Sequence, residues 1–140
     1  MSRLVRYVAP VLSITLLGVL AALSVRGIVD PAGAAASFGV PVGDPAAELY
    51  QVVYRSRNLV LAIVGLAFAG TGQWRALAVL ATASIALPAF DIWALTQAGL
   101  AVTAVHPATL AALVVLAGVL WARVGPAPGR DIEAPDPQRR

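Results

Sequence analysis

Four long apolar stretches alternate with more polar segments along the chain. The stretches cover residues 7–25, 50–70, 74–96 and 104–122, and each is close to the roughly 20 residues that a helix needs to cross a bilayer. The pattern predicts an all-α fold, an integral membrane four-helix bundle that occupies residues 1–123.

The first stretch has some features of a cleaved signal peptide. It follows Arg3 and Arg6, and the small residues at 33–37 could form a cleavage site. However, its apolar run is longer than that of a signal peptide, and the small residues come late. We therefore expect it to be retained as the first span.

The arginines outside the apolar stretches predict the orientation of the bundle. If the chain crosses the bilayer four times, one side carries Arg3, Arg6, Arg75, Arg123, Arg130, Arg139 and Arg140. The other side carries Arg26, Asp30, Asp44 and Glu48. Because arginine is enriched in cytoplasmic loops, we expect a multi-pass protein of the cell membrane with both termini in the cytoplasm.

The connection at residues 27–48 is long for so small a protein, and we expect it outside the cell. The Asp-Pro pairs at 30–31 and 44–45 each resemble a helix start, with aspartate as N-cap and proline at the first helical position. Gly39 is placed to end a helix that begins after the first pair. The loop is therefore predicted to contain one short helix.

Polar residues interrupt the outer half of three spans. At 1.5 Å per residue, Arg57, Asp91 and His106 lie about 21, 25 and 22 Å from the inner ends of their helices. Tyr54 and Asn58 are each within one turn of Arg57. Because polar residues within a membrane usually face the bundle interior and pair, these five are predicted to form one polar layer.

The same spacing predicts an ion pair between Arg57 and Asp91, the one acidic residue within the spans. Arg55 is expected on the opposite face of its helix, where it would extend to the outer headgroups. Pro88 has no amide proton for the carbonyl of Ser84, so a kink is predicted beneath Asp91.

Composition agrees with a membrane protein and narrows its chemistry. Hydrophobic residues make up 59% and charged residues 12% of the chain, against about 25% charged in soluble domains, and the mean hydropathy is +0.82. No basic stripe with stacking aromatic residues indicates nucleic-acid binding. The chain has no cysteine and one histidine, so we expect neither a metal nor a cofactor.

Residues 124–140 are rich in proline and charge, which predicts a disordered cytoplasmic tail.

Several short motifs occur in a recognisable order: FGVP at 38–41, RNLVLAIVG at 57–65, an aspartate at 91 and a histidine at 106. Over residues 8–122 the chain resembles a domain-of-unknown-function family of small four-span membrane proteins, broadly DoxX-like in layout. The resemblance implies the architecture but no activity. It also supports the choice of Arg57, Asn58, Asp91 and His106.

Three functions are compatible with this pattern. In the first, an accessory membrane protein binds a lipophilic or quinone-like molecule through Tyr54, Arg57, Asn58, Asp91 and His106. In the second, a membrane-embedded acid–base enzyme of the isomerase or cyclase type uses Asp91, Arg57 and His106 as catalytic residues. The third is a transporter or channel subunit. A purely structural ion pair is the alternative to all three, and the sequence leaves open a homo-oligomer or a larger membrane complex in the lipid bilayer.

Overall fold

Six α-helices make up most of the computed structural model, which describes residues 3–40, 43 and 45–125. In chain order they are α1 Arg3–Val29, α2 Pro31–Phe38, α3 Pro45–Gly70, α4 Trp74–Ser84, α5 Ala86–Gln97 and α6 Val105–Val124. Helices α1, α3 and α6, and α4 with α5 as one unit, are long and apolar enough to cross a membrane. The predicted four-span, all-helical fold is confirmed, and the predicted tail lies almost entirely outside the described residues.

The third span consists of two helices because it is interrupted at Ile85. The amide of Ile85 donates to the carbonyl oxygen of Thr82 at 3.2 Å, a three-residue spacing, where α4 ends. Pro88, one turn further on, has no amide proton with which to continue the helical pattern. The helix is therefore interrupted beneath Asp91, where a kink was predicted.

The short helix α2 in the predicted external loop has defined signals at both ends. The amide of Gly33 donates to Oδ1 of Asp30 at 3.0 Å, and Pro31 occupies the first helical position. Gly39 ends the helix with φ of 98°, a conformation that favours glycine. The predicted short helix is present, and α3 begins at Pro45 as expected, while Asp44 lies outside the described residues.

Small residues allow the spans to approach one another closely. A Cβ atom on Gly65 of α3 would lie 2.8 Å from Cδ2 of Leu17 on α1, so these two helices are in tight contact. The central core is formed by Ala9, Leu17, Ala69, Leu77, Ala78, Ala81, Leu116, Ala117 and Leu120. Association of spans through such small-residue surfaces is expected where the surrounding lipid is as apolar as the core.

The first and last helices are joined at the end of the bundle that carries the N-terminus. Nη1 of Arg123 on α6 donates to the carbonyl oxygen of Arg6 on α1 at 2.6 Å. The same guanidinium lies 4.0 Å from the ring centroid of Trp74 at the start of α4. Nε1 of Trp121 donates to Oγ1 of Thr82 at 2.9 Å, which adds a second link between α6 and α4.

Helix α5 packs on only one side of the bundle. It contacts α4 and α6, but none of its Cα atoms lies within 8 Å of a Cα atom of α1 or α3. The preceding helix α4, by contrast, contacts α3 directly. The third span therefore separates from α3 after the interruption at Ile85, and a wedge-shaped space opens between α5 and the first two spans.

Candidate functional site

The space between the helices contains a partly enclosed cavity of about 190 Å³. All six helices contribute to its wall, and leucine is the most frequent lining residue. Polar side chains are the exception, and they are Tyr54, Arg55, Asn58, Ser84, Asp91, His106 and Thr109. The cavity therefore combines an apolar body with a group of polar residues from α3, α4, α5 and α6.

Asp91 is the centre of the polar group. The hydroxyl of Tyr54 donates to Oδ2 of Asp91 at 2.9 Å, so α3 reaches α5 across the wedge through this one side chain. Nδ1 of His106 lies 3.8 Å from the same oxygen. A hydroxyl, a carboxylate and an imidazole from three helices thus converge on one point, as the depth argument predicted.

The other ring nitrogen of His106 fixes the direction of the imidazole. His106 is only 3% exposed, and its Nε2 lies 3.0 Å from the carbonyl oxygen of Phe38. Because a carbonyl oxygen only accepts, Nε2 must carry the proton of that hydrogen bond. In the neutral ring, Nδ1, which faces Asp91, is therefore the nitrogen without a proton.

Helix α2, in the connection between α1 and α3, covers this polar group. The ring of Phe38 packs edge-on against Tyr54 and His106, with centroid distances of 5.2 and 4.6 Å. The hydroxyl of Thr103 donates to the carbonyl oxygen of Ser37 at 2.9 Å, which holds the end of α2 against the segment before α6. Phe38 is thus both a wall of the cavity and the acceptor for His106.

The predicted ion pair between Arg57 and Asp91 is wrong. Arg57 is exposed on the outside of the bundle, does not line the cavity, and has no carboxylate within 4.0 Å among the described residues. Arg55 lines the cavity instead, although the sequence analysis placed it on the far face. Its Nε is buried and has no hydrogen-bond partner in the described part of the chain.

Glycine at position 27 makes room for Arg55. A Cβ atom on Gly27 of α1 would lie 2.9 Å from both Cγ and Nε of Arg55, so the arginine stem lies directly against the α1 backbone. The guanidinium carbon also lies 5.6 Å from the ring centroid of Tyr54. These contacts direct Arg55 inward rather than toward the headgroups.

The error arose from the orientation assigned to α3. Its buried residues are Gln51, Asn58, Ala62, Gly65 and Ala69. These residues define the buried face of α3. On a helix of 3.6 residues per turn, Arg55 lies about 50° and Arg57 about 110° around the helix axis from the centre of that face. The predicted orientation turned Arg57 inward and Arg55 to the opposite face, and the small residues Ala62 and Ala69 were the missed signal.

Asn58 is buried and lines the cavity, so four of the five predicted residues come together and Arg55 takes the place of Arg57. Gln51, which no prediction singled out, is fully buried, and neither of its amide atoms has a protein partner among the described residues. Within residues 3–40, 43 and 45–125, no group of three or more His, Asp or Glu side chains could hold a metal ion.

The cavity reaches the outer surface of the bundle. Five of its lining residues are also exposed: Val19 and Leu23 on α1, Leu87 on α5, and Val105 and Thr109 on α6. Val19, Leu23 and Leu87 lie on the two sides of the wedge between α1 and α5, where the surface of a spanning bundle faces lipid. The cavity therefore opens sideways, toward the membrane.

Comparison with known proteins supports the family but adds no activity. Neither a curated protein nor a solved structure matched the chain. The profile of a domain-of-unknown-function family, DUF4267, matches residues 18–122. This range includes every residue of the polar group and the whole of α2 to α5. The chain is a four-span membrane protein that belongs to the DUF4267 family.

Proposed function

We propose that this protein binds a lipophilic small molecule whose oxygen-bearing head enters the bundle while its chain stays in the lipid. The supporting observation is the cavity itself, which has Tyr54, Arg55, Asn58, Asp91 and His106 among otherwise apolar walls. A mostly apolar pocket with a few convergent polar groups is the usual form of a small-molecule site.

The size of the cavity limits the head of the ligand. An engineered apolar cavity of about 150 Å³ in another protein binds benzene, so a volume of about 190 Å³ accommodates a head of about one ring. A longer chain must leave through the opening beside Leu87. A monocyclic quinone- or phenol-like head with an aliphatic chain satisfies both conditions.

The polar residues indicate how that head would be held. The free Nε–H of Arg55 can donate to a carbonyl or phenolate oxygen, and the amide of Asn58 can donate or accept. Asp91 is already bonded to Tyr54 but retains a further oxygen that can accept from a hydroxyl. A head that carries oxygen at two positions would complete the hydrogen bonding of the site.

Two neighbouring arginines offer a matched test of this proposal. Mass spectrometry of organic extracts would compare the gently purified wild-type protein with Arg55→Gln and Arg57→Gln. We expect wild type and Arg57→Gln to carry the same lipophilic compound, and Arg55→Gln to retain about tenfold less, because it loses a charge-assisted hydrogen bond. Equal amounts in both variants, or greater loss in Arg57→Gln, would contradict the proposal.

A membrane-embedded acid–base enzyme is the second candidate, and the ring of His106 favours it. With Nε2 committed to Phe38, Nδ1 and the carboxylate of Asp91 are 3.8 Å apart beside the cavity, so a substrate proton could be taken up by this pair. In that case the compound extracted from Asp91→Asn would be an unconverted substrate, distinguishable from the wild-type compound by mass or retention time. Identical compounds would favour binding alone.

The placement of the termini is part of the same proposal, with α2 outside the cell membrane and the α3–α4 turn in the cytoplasm. The chain has no cysteine, and Ser37 and Gln73 are both exposed at opposite ends of the bundle. On intact cells, a membrane-impermeant maleimide is expected to label Ser37→Cys and to spare Gln73→Cys until the cells are opened. The reverse pattern would invert the topology.

A further inference from the structure

A second concave site lies at the end of the bundle that carries the N-terminus, far from the polar group. It is an open concavity of about 630 Å³ between α1, α4 and α6. Three arginines surround it, one from each helix: Arg6, Arg75 and Arg123. Gln73 from the turn before α4 and Trp74 at its start also line this concavity.

The charges at this site are not balanced by the described part of the chain. Arg6 and Arg75 are exposed, and neither forms an ion pair there. The described acidic residues, Asp30, Glu48 and Asp91, lie toward the opposite end of the bundle. The site therefore has an excess of positive charge on facing helices.

One of the three arginines is already held in position. The guanidinium of Arg123 is fixed between the ring of Trp74 and the carbonyl oxygen of Arg6. That hydrogen bond uses one of its five N–H donors, so the others are available for an acceptor. An ordered guanidinium loses less conformational entropy when it binds an anion.

The depth of the site matches that of lipid headgroups. Arg6 and Arg75 are the second residues of the first and third spans, and Arg123 is the last but one of the fourth. Trp74 begins the third span, where aromatic side chains commonly mark the membrane interface. The concavity therefore lies where the phosphate groups of the adjacent leaflet are found.

We propose that this concavity binds the headgroup phosphate of an anionic phospholipid, independently of any ligand in the polar group. Arginine matches phosphate oxygens in a two-pronged geometry, and basic pockets between spans are known sites for anionic headgroups. A free phosphate has the same chemistry, but only a lipid also places its acyl chains along the exposed apolar surfaces of α1 and α6.

Native mass spectrometry of the full chain in a neutral detergent tests the proposal. The probes are phosphatidylglycerol, phosphatidylcholine and inorganic phosphate. The variant Arg6→Gln with Arg75→Gln removes two unpaired charges but keeps Arg123, and its matched control is Arg26→Gln with Arg57→Gln, which removes two exposed arginines elsewhere. Each arginine near a membrane surface contributes about fivefold to anionic-lipid affinity. We therefore expect the affinity for phosphatidylglycerol to fall roughly 25-fold in the first double variant and to change little in the control.

Three results would overturn the proposal. The first is equal binding of phosphatidylglycerol and phosphatidylcholine by the wild-type protein. The second is an equal loss of phosphatidylglycerol binding in the two double variants. The third is saturable binding of inorganic phosphate with no lipid preference, which would assign the concavity to a soluble anion. Thermal unfolding of both variants checks that a difference in lipid binding does not arise from lost structure.

Discussion

Replacing Asp91 with alanine is expected to destabilise the bundle by about 2–3 kcal/mol, because it removes the acceptor of a partly buried charged hydrogen bond. The hydroxyl of Tyr54 would lose its partner, and this bond is the direct side-chain link between α3 and α5, whose backbones do not approach each other. Chemical or thermal unfolding in a mild detergent measures the change.

Three companion variants identify the source of that loss. Asp91→Asn keeps an acceptor for Tyr54, so it should lose less than half as much stability as Asp91→Ala. Thr96→Ala, on the exposed side of α5, should have little effect. Tyr54→Phe removes the other partner. If the two residues interact, the double variant with Asp91→Ala loses less than the sum of the single losses. Strictly additive losses would show that the hydrogen bond contributes nothing to stability.

Replacing Gly39 with alanine is expected to detach the outer cover of the cavity. Gly39 has φ of 98°, where an L-residue costs about 1–2 kcal/mol, and its Cβ would lie 2.5 Å from the carbonyl oxygen of Ala101. The backbone at Gly39 and the backbone at Ala101 cannot move aside as a flexible side chain would. The hydrogen bond from His106 to Phe38, the residue before Gly39, should therefore weaken.

Hydrogen exchange reports this change directly. We expect the amides of residues 32–40 to exchange about tenfold faster or more in Gly39→Ala, because tenfold corresponds to about 1.4 kcal/mol of local opening. Gly118→Ala is the matched control, since nothing lies within 4 Å of its added Cβ and its helical conformation suits alanine. Unchanged exchange at residues 32–40 would show that α2 tolerates displacement and does not close the cavity.

The features that the sequence predicted well depend on local signals. Span length and apolar content define the helices, Asp30, Pro31 and Gly39 define α2 through contacts within a few residues, and Pro88 interrupts the third span because of its own covalent structure. The depth of a residue in the membrane could also be predicted, by counting residues from the inner end of its helix. This count placed Tyr54, Asp91 and His106 at a similar depth without knowledge of how the helices pack.

Rotation about the helix axis could not be counted in the same way. Whether Arg55 or Arg57 faces inward depends on which side of α3 meets α1, and that is decided by the contacts at Gly27 and Gly65 on partner helices. In a membrane helix both faces are apolar, so the amphipathic pattern that orients a soluble helix is weak. The bond from His106 to Phe38 depends similarly on how the segment that carries α2 folds back, over 68 residues of sequence separation.

The hydrogen bond between Arg123 and Arg6 has a consequence for assembly during synthesis. Its partners are 117 residues apart, so the first and last spans can be joined only after nearly all of the described chain has been made. Helices α1 and α3 can pack as soon as both are inserted, and Tyr54 can then bond Asp91 before His106 has been made. A chain released after α5 would therefore hold this carboxylate by Tyr54 alone, without the helix that carries His106, a defect that membrane quality control could recognise.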